Sequence, residues 1–398
     1  MMLDKALGVA IDIGTTTVVL YLIDIETGDR LGVLSEVNSQ SAHGADVTAR
    51  IQFCAENGHE ELTKLIREQI SDMLTKLCQS CGTNMSQVVS ISIAANTIMQ
   101  HLVTDLSPVS MGVAPFTPTS LFGEELPVWE DLPVTEGTII YYTPAISAYV
   151  GGDITAGLLA AGFDKMNTPA LLIDIGTNGE IVLKHEGTYY CCATAAGPAF
   201  EGAEIAMGMI AKPGAIDHVM LAENKKDIEF TVIGGGAPEG ICGSGLLDTL
   251  AVLLNMEIVD ETGRLLDMDK FYLSEDNNIY ITAVDIRKLQ LAKAAIAAGV
   301  EVLLHHAGIS ADDVKTLALA GGFGSYLDLQ SAARIGLFPE IMLPAAVTCG
   351  NTSGEGAVLA LSSKEATKQL EKIRNNCEYI ELSSMTFFND KFVEQMMF

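Results

Sequence analysis

The chain has 398 residues, enough for two or three domains and too many for one small binding module. Against 23 Lys and Arg stand 51 Asp and Glu, a formal net charge of −28, so its average surface repels phosphate backbones and anionic bilayers, and neither nucleic acid nor membrane is an expected partner. A hydrophobic fraction of 48% with 37 glycines describes a packed core with many tight turns and excludes global disorder. The first residues, MMLDKALGVAIDIG, lack a basic, then apolar, leader, and no apolar run approaches the roughly 18–20 residues of a spanning helix, so the expected location is the cytoplasm.

In chain order, residues 8–23 (GVAIDIGTTTVVLYLI) read as a buried strand, a turn of glycine and threonine, and a second strand over Thr17–Asp24. Residues 60–78 then set Leu62, Leu65, Ile66, Ile70, Met73, Leu74 and Leu77 at helical spacing, and Val88–Ala95 follows as an apolar strand. Residues 143–162 (TPAISAYVGGDITAGLLAAG) read as strand, glycine-rich turn and helix. The opening pattern returns at 170–183 (ALLIDIGTNGEIVL), moving Asp-Ile-Gly-Thr from residue 12 to residue 174, with its second strand over Glu180–Glu186. Extra material at 209–283 includes GGGAPEG and the polar SEDNN. An amphipathic helix over Asp285–Ala307 and a strand over Val314–Ala320 lead to Gly321-Gly322-Phe323-Gly324, and 344–361 (PAAVTCGNTSGEGAVLAL) repeats the strand, turn and helix of 143–162. The tail reads as a helix, a strand at 379–382 and an amphipathic helix.

Three matched segments in the same order predict two duplicated α/β domains with a ligand cleft between them. The expected boundaries are 1–165 and 166–363, with an inserted subdomain around 209–283 and the segment 364–398 packing back on the first domain.

A glycine–threonine turn between strands offers backbone N–H groups and hydroxyls with little bulk in the way, which suits phosphate oxygens. One such turn alone is an ordinary hairpin; two in register point to a polyphosphate. Asp12 and Asp174 end the paired strands, where a carboxylate can hold Mg²⁺ directly or through water. Glycines after the strand ending at Ala320 admit a flat ring such as adenine. Asp153 opens a helix, where it either orients or deprotonates a water or serves as an N-cap. Cys78 and Cys81 have metal-ligand spacing, yet no second pair matches them, and most of the eight cysteines read as buried thiols.

The phosphate turns DIGTTT and DIGTNGE with AGGFG resemble the superfamily of acetate kinases, sugar kinases, heat-shock chaperones and actin. Within it, IDIGTTTV, IAANTIMQHLV, VGGDITAG, GPAFEGAEI, GICGSGLLD, LAGGFG and GNTSGEGA together are similar to the ATP-dependent reductive activators of corrinoid proteins, over nearly the whole chain. The resemblance implies a duplicated actin-like (ribonuclease H-like) fold, ATP or ADP phosphates at Gly14, Thr15, Thr16, Thr17, Gly176, Thr177 and Asn178, and Mg²⁺ at Asp12 and Asp174. It further implies adenosine near Gly321, Gly322 and Phe323, with Glu201 and Glu204 either contacting adenosine or forming a solvated helix edge. Catalytic roles fall to Asp153, Asp12 and Asp174.

The implied activity is ATP-driven return of a Co(II) corrinoid to Co(I) on a partner corrinoid protein. Family members usually carry an N-terminal [2Fe–2S] domain, and this chain begins directly at its first phosphate strand. No iron–sulfur cluster is therefore expected in it, and electrons are expected from a separate ferredoxin-like donor; a homodimer stays open. Two alternatives are a small-molecule kinase with Asp153 as base, and an activator of the 2-hydroxyacyl-CoA dehydratase type with an intersubunit cluster held through Cys78 and Cys81. A non-catalytic, nucleotide-dependent scaffold is the third.

Overall fold

Short β-branched runs punctuated by glycine make the strands, and two long apolar stripes make the helices that cover them. The computed structural model describes residues 6–222, 227–322 and 327–398. They group into two units: one runs to Met166 and takes in Asn351–Tyr379, the other comprises Asn167–Gly350 and Ile380–Phe398.

In the first unit β1 (Leu7–Ile13) turns back into β2 (Thr17–Asp24) and then β3 (Arg30–Val37), an antiparallel meander. β1 is buried along nearly its whole length because it is an interior strand, which explains why its sequence is apolar throughout rather than alternating. After α1 (Val47–Asn57), α2 (Glu60–Ser80) lays Leu62, Ile66, Ile70, Met73, Leu74 and Leu77 into the core. The chain continues through β4 (Val88–Ala95), parallel to β1, and α3 (Thr97–Val103), capped by Asn96. β5 (Glu125–Pro127) and β6 (Ile139–Tyr142) complete the sheet in the order β3-β2-β1-β4-β6-β5, and α4 (Gly152–Ala160) follows.

The second unit repeats the plan. β7 (Ala170–Ile175), β8 (Gly179–His185) and β9 (Thr188–Thr194) form the meander. The extra material supplies β10 (Ala215–Leu221), β11 (Ile228–Val232) and β12 (Gly240–Ile241) as a small separate sheet, then α5 (Gly243–Asn255) and the hairpin of β13 (Lys270–Ser274) and β14 (Ile279–Thr282). α5 is buried from Gly243 to Leu254, so its glycine-led apolar run belongs to the core. α6 (Ala283–Ala307), opened by a Thr282–Asp285 capping box, leads to β15 (Thr316–Ala320), parallel to β7 as β4 is to β1. α7 (Leu329–Arg334) and β16 (Ala346–Gly350) close the set, and the strands this unit contributes to its sheet run in the order β16-β15-β7-β8-β9.

The last helices are α8 (Thr352–Ser362), α9 (Lys364–Asn375) and α10 (Thr386–Glu394). The expected second-domain end at 363 gives way to Gly350, because α8 packs on α4, β1 and β4: Gly356 lies on the Ala156 backbone and Gly157 on Thr352. The tail is likewise split. α9 groups with the first unit, while α10 packs on α6 with Phe387 stacked 4.4 Å from His305. The strand expected at 379–382 lies at Cys377–Tyr379.

Candidate functional site

In the first unit the turn between β1 and β2 is closed by the Gly14 N–H donating to Thr17 O at 2.8 Å. Three side chains distant in sequence hold it. Asn38 Nδ2 donates to Gly14 O at 2.8 Å, Arg50 Nη2 to Thr15 O at 2.5 Å and Asn96 Nδ2 to Thr15 Oγ1 at 3.1 Å. The Asn38 N–H also donates to Thr16 O at 2.8 Å. Residue pattern singled out none of these three; only Asn96 fell inside a quoted motif.

Asp12, the residue before Ile13 at the end of β1, accepts from Ser353 Oγ (2.7 Å) and Asn351 Nδ2 (2.8 Å), one on each oxygen. Burial pushes its carboxyl upward, and the two hydrogen bonds pull back. The neighbouring Tyr21 phenol is pushed up to about 12 by burial and by the charges of Asp12 and Glu355. Each Asp12 oxygen keeps a lone pair for another partner. Among the described residues no group of three or more His, Cys, Asp or Glu is arranged around a metal position. A closed protein cage therefore does not fit, whereas Mg²⁺, which takes one or two carboxylates and keeps its waters, fits an oriented single carboxylate.

Asp153 is not the N-cap of α4. Gly151 occupies that place, without a side-chain cap, and Asp153 is the second helical residue, its Oδ1 accepting from the Ile154 N–H at 2.9 Å. Gly151 permits a close approach: a Cβ there would stand 2.5 Å from Asn96 Cα. Asn96 thus touches both the Gly151 turn and Thr15, drawing Asp153 and the first glycine–threonine turn to one place in this unit.

In the second unit the Gly176 N–H donates to Asn178 O at 3.0 Å. The threonine after the glycine is buried in both turns, 8% exposed at Thr15 and 7% at Thr177, while the glycine and the residue after the threonine stay half-buried. Thr177 Oγ1 donates to Glu201 Oε2 at 2.9 Å, from the short helix Pro198–Glu201, so Glu201 is a turn partner rather than a solvated edge. Glu204, at φ +63°, faces Lys288, whose Nζ lies 2.5 Å from its carbonyl oxygen and 3.5 Å from its carboxylate.

Ala320 pairs in register with Asp174, and Gly321 follows at φ +93°. A Cβ on Gly321 would sit 2.5 Å from Ile175 O and 2.7 Å from Asp174 Oδ1, so only glycine lets the strand end beside that carboxylate. Gly322 lines a cavity of about 490 Å³ with Gly234, Cys242, Gly243 and Ser244, a volume that takes a nucleoside. Phe323, expected with them, lies outside the described residues.

Cys78 is 1% exposed in the first unit's core, its thiol pushed up by burial, and Cys81 Sγ lies 3.5 Å from Leu31 O. A cluster shared between subunits needs accessible thiolates, so the alternative built on this pair fails. Among the described residues no helix is long and apolar enough to cross a membrane.

Two sheets that share a five-strand order, each with a glycine–threonine turn after its first strand and a carboxylate before it, define the ASKHA class. Residues 168–398 match the family model described as the C-terminal domain of RACo, the ASKHA domain, and residues 7–166 match the RACo middle region. The chain belongs to the RACo family. It is 37% identical to the corrinoid activation enzyme RamQ of Eubacterium limosum, over 98% of this chain and 69% of that one. It is 26% identical to the [Co(II) methylated amine-specific corrinoid protein] reductase of Methanosarcina barkeri, over 87% and 68% respectively. A solved structure of a reductive activator for corrinoid, iron–sulfur protein is 38% identical with a TM-score of 0.91, covering all of this chain and 67% of that one.

Proposed function

We propose that this protein binds and hydrolyses ATP to drive reductive reactivation of a corrinoid protein, Co(II) to Co(I), with the electron coming from a separate ferredoxin-like donor. The observation that carries the reading is Asp12, oriented on both oxygens by Ser353 and Asn351 beside a turn braced from three distant positions. The names of the 37% and 26% identical relatives supply the partner class.

In this reading the N–H groups of Gly14–Thr17 and Gly176–Asn178 take the phosphates, and the cavity at Gly322 takes adenosine, with Glu201 and Glu204 near it. Asp12 and Asp174 would hold Mg²⁺, which when bound neutralises phosphate charge. Asp153 orients the attacking water and takes its proton. Nucleotide assists an uphill reduction only through unequal affinity for two conformations of activator or partner, since equal affinity shifts neither.

The test mixes the purified chain with an inactive Co(II) corrinoid protein, a reduced ferredoxin-like donor and Mg-ATP, and follows the cobalamin spectrum alongside phosphate release. Co(I) appearing only with both chain and ATP is the expected result. Co(I) formation indifferent to ATP, or no ATP binding by calorimetry, overturns the proposal.

A further inference from the structure

The two turns expected to hold a triphosphate contain no Lys or Arg, and the chain carries a net charge of −28. Positive potential for the phosphates must come from elsewhere. Arg50, on α1, is 0% exposed and heads the fully buried side chains by volume. Its guanidinium donates to Thr15 O at 2.5 Å, to Gly44 O at 3.1 Å and to Gln40 Oε1 at 3.2 Å, with Met99 Sδ also at 3.2 Å. All four partners are neutral. Among the described residues no carboxylate stands within ion-pair distance, and Asp46 acts on it only from farther away. Burial pulls its pKa down to about 10, which leaves it charged at neutral pH. A cation surrounded by dipoles alone is costly to bury, and an anion close by offsets that cost.

The route to such an anion runs through one peptide unit. In a trans peptide the C=O and the following N–H point in opposite directions. Arg50 on Thr15 O therefore aims the Thr16 N–H away from itself, and Asn38 on Gly14 O does the same for the Thr15 N–H. A charged donor on the carbonyl also polarises the amide and strengthens its N–H as a donor.

We infer that Arg50 is a positioning residue for the nucleotide: from behind the first turn, through the Thr15–Thr16 peptide, it supplies the positive potential that the turn itself lacks. The inference rests on the proposed ATP site, so wild-type binding is measured first.

Calorimetric titrations of Mg-ATP, Mg-ADP and adenosine are run on the full chain and on Arg50→Lys, Arg50→Gln and Arg50→Met, with thermal melts to establish folding. Loss of a charge-assisted contact predicts ATP affinity about tenfold or more weaker in Arg50→Met, a smaller loss for ADP and no change for adenosine. Arg50→Lys keeps the positive charge but not the fork of donors, so its loss of ATP affinity should be smaller than that of Arg50→Met. In steady state KM should rise while kcat moves less. If Arg50→Met does not fold, Arg50→Gln takes its place with the same ordering expected. Unchanged ATP affinity in the neutral variant, or equal losses for ATP, ADP and adenosine, overturns the inference while leaving the ATP site standing. A wild-type chain that does not bind ATP overturns both.

Discussion

The two glycine–threonine turns share sequence, strand pairing and a buried threonine, and differ in what stands behind them. The first is backed by amides and by a guanidinium on the Thr15 carbonyl. The second is met by a carboxylate, Glu201, on the Thr177 hydroxyl. Duplication kept the backbone shape and let the electrostatics diverge, so equivalent positions are not interchangeable. The guanidinium behind the first turn adds positive potential there. The second holds its threonine with a group that repels negative charge, which suits placing a ligand more than drawing it in.

Substitutions can break or sharpen that contrast. The largest effect is expected for Asp12→Ala, which removes the oriented carboxylate: phosphate release under saturating Mg-ATP should fall about 1000-fold, and Asp174→Ala should also cut it strongly. Turnover surviving both changes would refute the carboxylate assignments. Asp153→Asn should slow hydrolysis about 100-fold with ATP affinity within about threefold, because Gly151, not Asp153, caps the helix. Equal rates in the two proteins would remove its role. Gly321→Ala forces a Cβ against Ile175 O at positive φ, and thermal melts should show a loss of about 1–3 kcal/mol. Glu201→Gln keeps an acceptor for Thr177 and removes its charge; ATP affinity should tighten by up to about threefold at low ionic strength, and salt should erase the gain. A salt-independent loss would show that Glu201 acts by contact alone.

The repeat was legible because its signals are local. Apolar runs ending in Asp-Ile-Gly-Thr announce strand and turn, and β4 was read at its observed limits, Val88–Ala95. Gly321 and Gly322 read as room for a flat ring, whereas what the structure places against Gly321 is the chain itself, at Asp174 and Ile175. Arg50 was invisible for the opposite reason. A lone arginine in VTARIQFCAEN reads as a solvated helix face, and only tertiary packing turns it inward toward Thr15. Asn38 stands 24 residues from the carbonyl it holds and Asn96 stands 81 from the hydroxyl it meets, distances over which periodicity carries nothing. The boundary at Gly350 was missed because strand, turn and helix run on without a break at 344–361, while the small residues of α8 fit α4 in the first unit.

That small-residue seam has a mechanical meaning. Gly356 presses directly on the Ala156 backbone, so at this point backbone meets backbone with no rotamer to change. Such a joint behaves like meshed gears, passing on a displacement that a cushion of leucines would absorb. One helix begins at the donors that grip Asp12 and the other at Asp153. The spacing between those two carboxylates is thereby fixed in a single stiff plate, and whatever tilts it carries both together.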